Sequence, residues 1–214
     1  MPKQQLKLDS LPDIALAEVA LTHGQVIRLL TDLGFANGVK RSTFNYYVKS
    51  LRKLGVPFDA PAERPSARRR IIYGFDDLME LALALLLRVY GILPDAVVVG
   101  LQKFRGELRP IYHQAYKDIH SAHYANAFLV MAGAKRRSFG GLYLDLNLRY
   151  SGGQLIEFGP PRTLSPFEAL CLYAQSESPA RSYLPINLSS IAGMIVGQCQ
   201  RIPTVRRGRT RRHG

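Results

Sequence analysis

The sequence predicts an α+β fold: a helical N-terminal half with one short basic strand, a smaller mixed half behind it, and a basic tail. Three observations predict it. Apolar residues recur with the helical period from residue 26 to about residue 108, they switch to strict alternation over residues 142–150, and arginine dominates residues 201–214. At 214 residues the chain is long enough for one large or two small cores.

Residues 1–20 mix Lys, Asp and Pro with a short apolar patch and read as an N-terminal arm. Thr22 and Gln25 have the spacing of a capping box, and Val26, Leu29, Leu30 and Leu33 then make one apolar face that Gly34 ends. A second helix is predicted from Ser42 to Gly55. Phe44, Tyr47, Val48, Leu51 and Leu54 form its core stripe, while Asn45, Tyr46, Lys49, Arg52 and Lys53 fall on the opposite side. Pro57, Pro61 and Pro65 exclude helix from the following loop. Arg68, Arg69 and Arg70 then head a short strand ending at Tyr73, a basic wing. Asp76 and Asp77 sit where negative charge suits a helix start, ahead of an apolar face of Leu78, Leu81, Ala82, Leu85, Leu86 and Val89. Gly91-Ile92-Leu93-Pro94 interrupts that helix, and Asp95–Leu108 reads as another.

The charge is concentrated in two places. Of a net +13, residues 40–73 hold nine basic and two acidic side chains, and residues 201–214 hold six basic and none acidic. Clustered cations favour a polyanion through counterion release. An anionic membrane is the weaker reading, because no basic helix with a broad apolar face accompanies the charge. A helix whose non-core side is polar and cationic, followed by a basic wing, suits a groove of duplex DNA. Asn45, Tyr46 and Lys49 are expected to face bases or adjacent phosphates, since Asn pairs with adenine and Lys with guanine. Arg52, Lys53 and Arg68–Arg70 are expected to hold phosphates, with Lys40, Arg41, Ser42 and Thr43 adding to the contact at the helix start.

Thr43-Phe44-Asn45-Tyr46-Tyr47, together with Tyr73-x-x-x-Asp77-Leu78 behind arginines, resembles the winged-helix DNA-binding domain of MerR-type regulators over about residues 21–105. The resemblance implies a winged helix-turn-helix domain over residues 21–108. It also implies a bacterial, sequence-specific transcription regulator that binds double-stranded DNA as a homodimer, with RNA polymerase as a further partner. That family's long dimerising heptad and metal-binding cysteines have no counterpart in this sequence.

The remainder reads as a linker helix over residues 109–125 and an α+β unit over residues 126–200, for dimerisation or for a ligand or protein partner. Ala127–Ala134 suits a buried strand. Leu142, Leu144, Leu146, Leu148 and Tyr150 alternate with polar residues as one half-buried strand, and Gln154–Phe158 returns as its hairpin partner before Pro160-Pro161. Ser165-Pro166-x-Glu168 starts a helix running to about Gln175. Ser182–Leu188 is expected to be extended, and Ser189 or Ser190 to cap a last helix through Cys199. Residues 201–214 are expected to be a disordered tail whose Arg206, Arg207 and Arg209 anchor along the DNA backbone.

Catalytic motifs are scarce. His113, His120 and His123 lie near Asp118, but a polar linker is the better reading than a metal site. Asp145 and Glu157 are in the phase of surface carboxylates rather than a metal-dependent nuclease pair. No enzyme, cofactor or metal is expected. An architectural or excision accessory protein of a mobile element is the alternative DNA-binding role. Cys171 and Cys199 lie in apolar helical patterns and read as reduced thiols. No signal peptide is evident, and the apolar runs Leu81–Leu87 and Ala125–Ala134 are too short for a bilayer. A cytoplasmic, nucleoid-associated protein with no membrane partner is the expectation.

Overall fold

A computed structural model describes residues 19–36, 38–58, 71–92, 94–119, 141–151, 154–174, 181–182 and 184–202. The expected N-terminal arm (all but its last two residues), the wing arginines Arg68–Arg70, His120 and His123, the Ala127–Ala134 run and the tail arginines Arg206, Arg207 and Arg209 lie outside the described residues.

The chain is mixed helix and strand, as predicted. Its first part runs β1 (Leu21–Thr22), α1 (His23–Asp32), α2 (Arg41–Lys53), β2 (Ile72–Tyr73), α3 (Phe75–Val89) and α4 (Pro94–Lys117). The capping residues act as their spacing suggests: the Thr22 amide and hydroxyl both donate to Gln25 Oε1, at 2.9 and 2.8 Å. Gly34 and Gly55 follow α1 and α2 at φ +87° and +100°, the left-handed conformation that glycine adopts without a Cβ clash. Val26, Leu29 and Leu30 of α1 and Phe44, Val48 and Leu51 of α2 are buried. Leu54, expected in that stripe, is instead 46% exposed, because α2 ends at Lys53 and the chain turns before Leu54 reaches the core. The strand before α3 does not stand alone. It pairs antiparallel with β1, Leu21 opposite Tyr73 and Thr22 opposite Ile72, so the entry to α1 and the entry to α3 are tied together.

Helix α4 departs most from expectation. The helix predicted over Asp95–Leu108 and the linker helix predicted over residues 109–125 are one helix, continuous to Lys117 through Pro110. Proline removes one backbone hydrogen bond there. Leu101, Phe104, Leu108, Tyr112 and Ala115 stay buried along one face on both sides of it, and that burial outweighs the lost bond.

The second part contains β3 (Tyr143–Asp145), β4 (Leu148–Ser151), β5 (Gln154–Phe158), β6 (Arg162–Leu164), α5 (Pro166–Ala174), β7 (Arg181–Ser182), β8 (Ile186–Asn187) and α6 (Leu188–Arg201). Two antiparallel three-stranded sheets result, in the orders β6-β3-β8 and β5-β4-β7. The single strand expected across residues 142–150 is therefore two strands in two sheets. Leu142, Leu144, Leu146 and Leu148 are all buried as their alternation requires, but Asn147 at φ +45° breaks the ladder. Asp145 builds the break: its Oδ1 accepts from the Asn147 amide at 2.9 Å and its Oδ2 from Arg162 Nε at 2.8 Å. Asp145 is thus buried, not the surface carboxylate expected.

The expected helix start at Ser165 holds, with the Ser165 amide donating to Glu168 Oε2 at 2.7 Å and the Glu168 amide to Ser165 Oγ at 3.2 Å. The last helix is capped differently. Asn187 Oδ1, not a serine, accepts from the Ser190 amide at 2.8 Å, while the buried Ser189 hydroxyl accepts from the Leu142 amide at 2.9 Å. Helix α6 lies against α1, α3 and α4, and one apolar core runs from Val19 to Ile202 across the expected boundary at residues 108–126. The halves meet where the Phe158 ring packs on Gly100 of α4; a Cβ there would lie 2.4 Å from ring carbons.

Candidate nucleic-acid interface

Helix α2 presents one continuous polar face because its apolar residues are spent on the core. Arg41, Asn45, Lys49 and Arg52 recur at i, i+4, i+8 and i+11, and Ser42, Tyr46 and Lys53 run beside them. Lys40, Arg41, Ser42, Lys49 and Lys53 are exposed, Thr43, Asn45 and Arg52 are half-buried, and Tyr46 is 66% exposed. The nine described residues of the expected site therefore share one surface; the wing and tail arginines lie outside the described residues.

The C-terminal end of this helix is clamped by α4. Gln102 Nε2 donates to the Leu54 carbonyl at 2.8 Å, and Arg105 Nη2 donates to the Gly55 carbonyl at 2.7 Å. The Leu54 carbonyl is one of those that a helix end leaves without intrahelical partners, and the Gly55 carbonyl follows it in the turn that leaves the helix. Arg105 is itself fixed by Glu80 of α3, its Nε 2.9 Å from Oε2 and its Nη2 on Oε1, with both side chains almost fully buried. Burial pushes the Glu80 carboxyl up, and the nearby Arg109 charge opposes that rise; the guanidinium fork of Arg105 on both its oxygens is the geometry of an ionised, bidentate pair.

The opposite end carries a polar network that sequence reasoning missed. His23, the first residue of α1, places Nε2 2.8 Å from Asn45 Oδ1 and Nδ1 3.2 Å from the Tyr73 hydroxyl. An amide oxygen can only accept, so His23 carries its proton on Nε2 and accepts from Tyr73 at Nδ1. Tyr73 is fully buried and also bonds to Arg52. Three elements thus converge on Asn45, and its Oδ1 is already an acceptor before anything approaches from outside. A bidentate adenine contact would have to share that oxygen, which narrows the recognition expected of Asn45. Nothing local marks His23, since its partners lie 22 and 50 residues away.

Burial lowers the His23 pKa below its ordinary 6.5, and the charges of Arg52 and Lys49 lower it further against the Asn45 bond. The unfolded chain therefore binds this proton more readily than the folded one. Stability is unaffected well above pH 6.5 and falls as pH drops through that value toward the lower folded pKa. His23→Gln is expected to flatten the loss between pH 7 and pH 5 in denaturant titrations; an unchanged slope would remove His23 from the account.

The described residues among those considered for metal chemistry are separated. His113 Nε2 pairs with Asp76 Oδ1 at 3.0 Å. Asp145 is held by Arg162, whereas Glu157 bonds Lys103 Nζ at 3.0 Å and lies opposite Arg149 in the β4–β5 ladder. Among the described residues no group of three His, Cys, Asp or Glu side chains converges on a point. No described helix is long and apolar enough to cross a membrane. Comparison with family models, with curated proteins and with solved structures finds no match to this chain.

Proposed function

We propose that the chain is a sequence-specific, double-stranded DNA-binding regulator of transcription, with α2 as the helix that enters the major groove in the manner of MerR-type winged-helix domains. One observation carries the reading: α2 exposes a cationic and amide-bearing face while its C-terminal end is fixed to the scaffold by a buried polar contact and its N-terminal half, at Asn45, by a part-buried one. A solvated surface helix has no use for such fixing, whereas base reading needs side chains held in register. The nine-to-two excess of basic residues over positions 40–73 supplies the phosphate attraction, and Arg68–Arg70 are assigned to the wing that grips the backbone. Phe167 and Leu170, one turn apart on α5 and 73% and 52% exposed, are the apolar surface we assign to pairing with a second copy.

The test is enrichment of bound duplexes from a random DNA library, followed by affinity measurements on the preferred and a scrambled duplex. Asn45→Ala is expected to lower affinity for the preferred duplex by about 1–3 kcal/mol and leave the scrambled one nearly unchanged. Equal loss on both would remove α2 from base recognition, and the absence of any enriched sequence would overturn the reading itself.

A further inference from the structure

A cleft of about 270 Å³ opens between α2, α3 and the start of α4. Its walls are Leu51 and Leu54 of α2, Ala84 of α3 and Val97 of α4, and the rings of Tyr46 and Tyr47 stand at its side, 6.4 Å apart and edge to face. One charge lines it: the half-buried Arg88, whose guanidinium lies 3.3 Å above the centre of the Tyr47 ring. Among the described residues no acidic side chain lines the cleft and none pairs with Arg88. A guanidinium stacked on a ring is held in place by that face, and its N–H edge stays available to an anion.

From this arrangement we infer that the cleft is a binding site for a small aromatic carboxylate. The ring lies among Leu51, Leu54, Val97 and Tyr46, and the carboxylate meets the Arg88 N–H edge. The volume is at the small end for ligand pockets, which limits the occupant to one or two fused rings. A carboxylate is favoured over a neutral ring because the apolar walls strengthen its interaction with the Arg88 charge. The cleft borrows Tyr46 from the exposed face of α2, so occupancy also changes that face. This last consequence rests on the DNA reading; the binding itself does not.

The probes are 2-naphthoate and its neutral isostere 2-naphthamide, titrated calorimetrically into the full-length protein without DNA. Saturable 1:1 binding of naphthoate is expected, with naphthamide about tenfold weaker or more. Arg88→Gln is expected to bring naphthoate down to the level of naphthamide while naphthamide binding stays unchanged. Ser50→Phe, which plugs the rim from α2, is expected to abolish both. The inference is overturned if the wild type shows no saturable naphthoate binding, or if naphthoate binds Arg88→Gln or Ser50→Phe as it binds the wild type. Should Arg88→Gln lose both ligands through collapse of the stacked ring, the Ser50→Phe result decides. A protein that binds naphthoate yet enriches no DNA keeps this site and loses the DNA reading.

Discussion

Glu80→Ala is expected to destabilise the protein by about 3–5 kcal/mol, lowering its melting temperature by roughly 6–20 °C. The cause is not the loss of a favourable ion pair, since two buried charges hardly repay their own desolvation. It is that Arg105, 4% exposed and bonded to the Gly55 carbonyl, cannot leave with its charge when its counterion disappears. The double variant Glu80→Met with Arg105→Met removes both charges together and is expected to recover much of the loss. Thermal melts of the single and double variants check this. A single-variant loss below about 1 kcal/mol would mean that water reaches the pair, and the clamp on α2 would lose its rigid basis.

The second expected result concerns charge alone. Lys49 and Lys53 are exposed on α2, and neither makes an ion pair among the described residues. If each meets one phosphate, Lys49→Ala with Lys53→Ala releases about two fewer counterions on binding. The slope of log affinity against log salt should then fall by about 2, and affinity at moderate salt by about tenfold or more. The loss should be the same on preferred and scrambled duplexes, which separates these residues from Asn45. Binding measured across a salt series on both duplexes checks it; an unchanged slope would place the DNA on another face.

The parts of the fold legible in the sequence are those whose burial follows a single period. The faces of α1 and, up to Leu51, of α2 are read correctly because each buries one stripe against one core, whereas α3 buries Met79, Leu83 and Leu87 besides its predicted face and leaves Val89, predicted in that face, 52% exposed. The β3–β4 break is missed because leucine alternation continues unchanged through Asn147, where the chain leaves one sheet for the other. Strand β1 has two residues, too few for a pattern to show, whereas β2 lies at the end of the strand predicted up to Tyr73, and β7 and β8 fall at or within the stretch Ser182–Leu188 read as extended. Helix α4 is divided at Leu108 in the sequence reading, whereas Leu108, Tyr112 and Ala115 are buried along one face that carries it on to Lys117. Within the candidate site, the cationic face of α2 is legible because every residue in it belongs to one helix. The His23 network and the α4 clamp are not, since each depends on partners joined only by tertiary pairing. Glu80, alone among apolar neighbours from Leu78 to Leu87, is the one residue whose pattern announces a buried charge in need of a counterion.

The continuity of α4 decides how the chain can be divided. Within six residues the helix receives Phe158 at Gly100 and holds the end of α2 through Gln102 and Arg105, a span of about 8 Å. Cutting between residues 108 and 109 would strip Tyr112 and Ala115 from the core and leave Leu108 facing water. The two halves are therefore not exchangeable modules. A fragment holding only the cationic helix inherits its charges without the scaffold that aims them, so fusions and truncations belong outside residues 19–202.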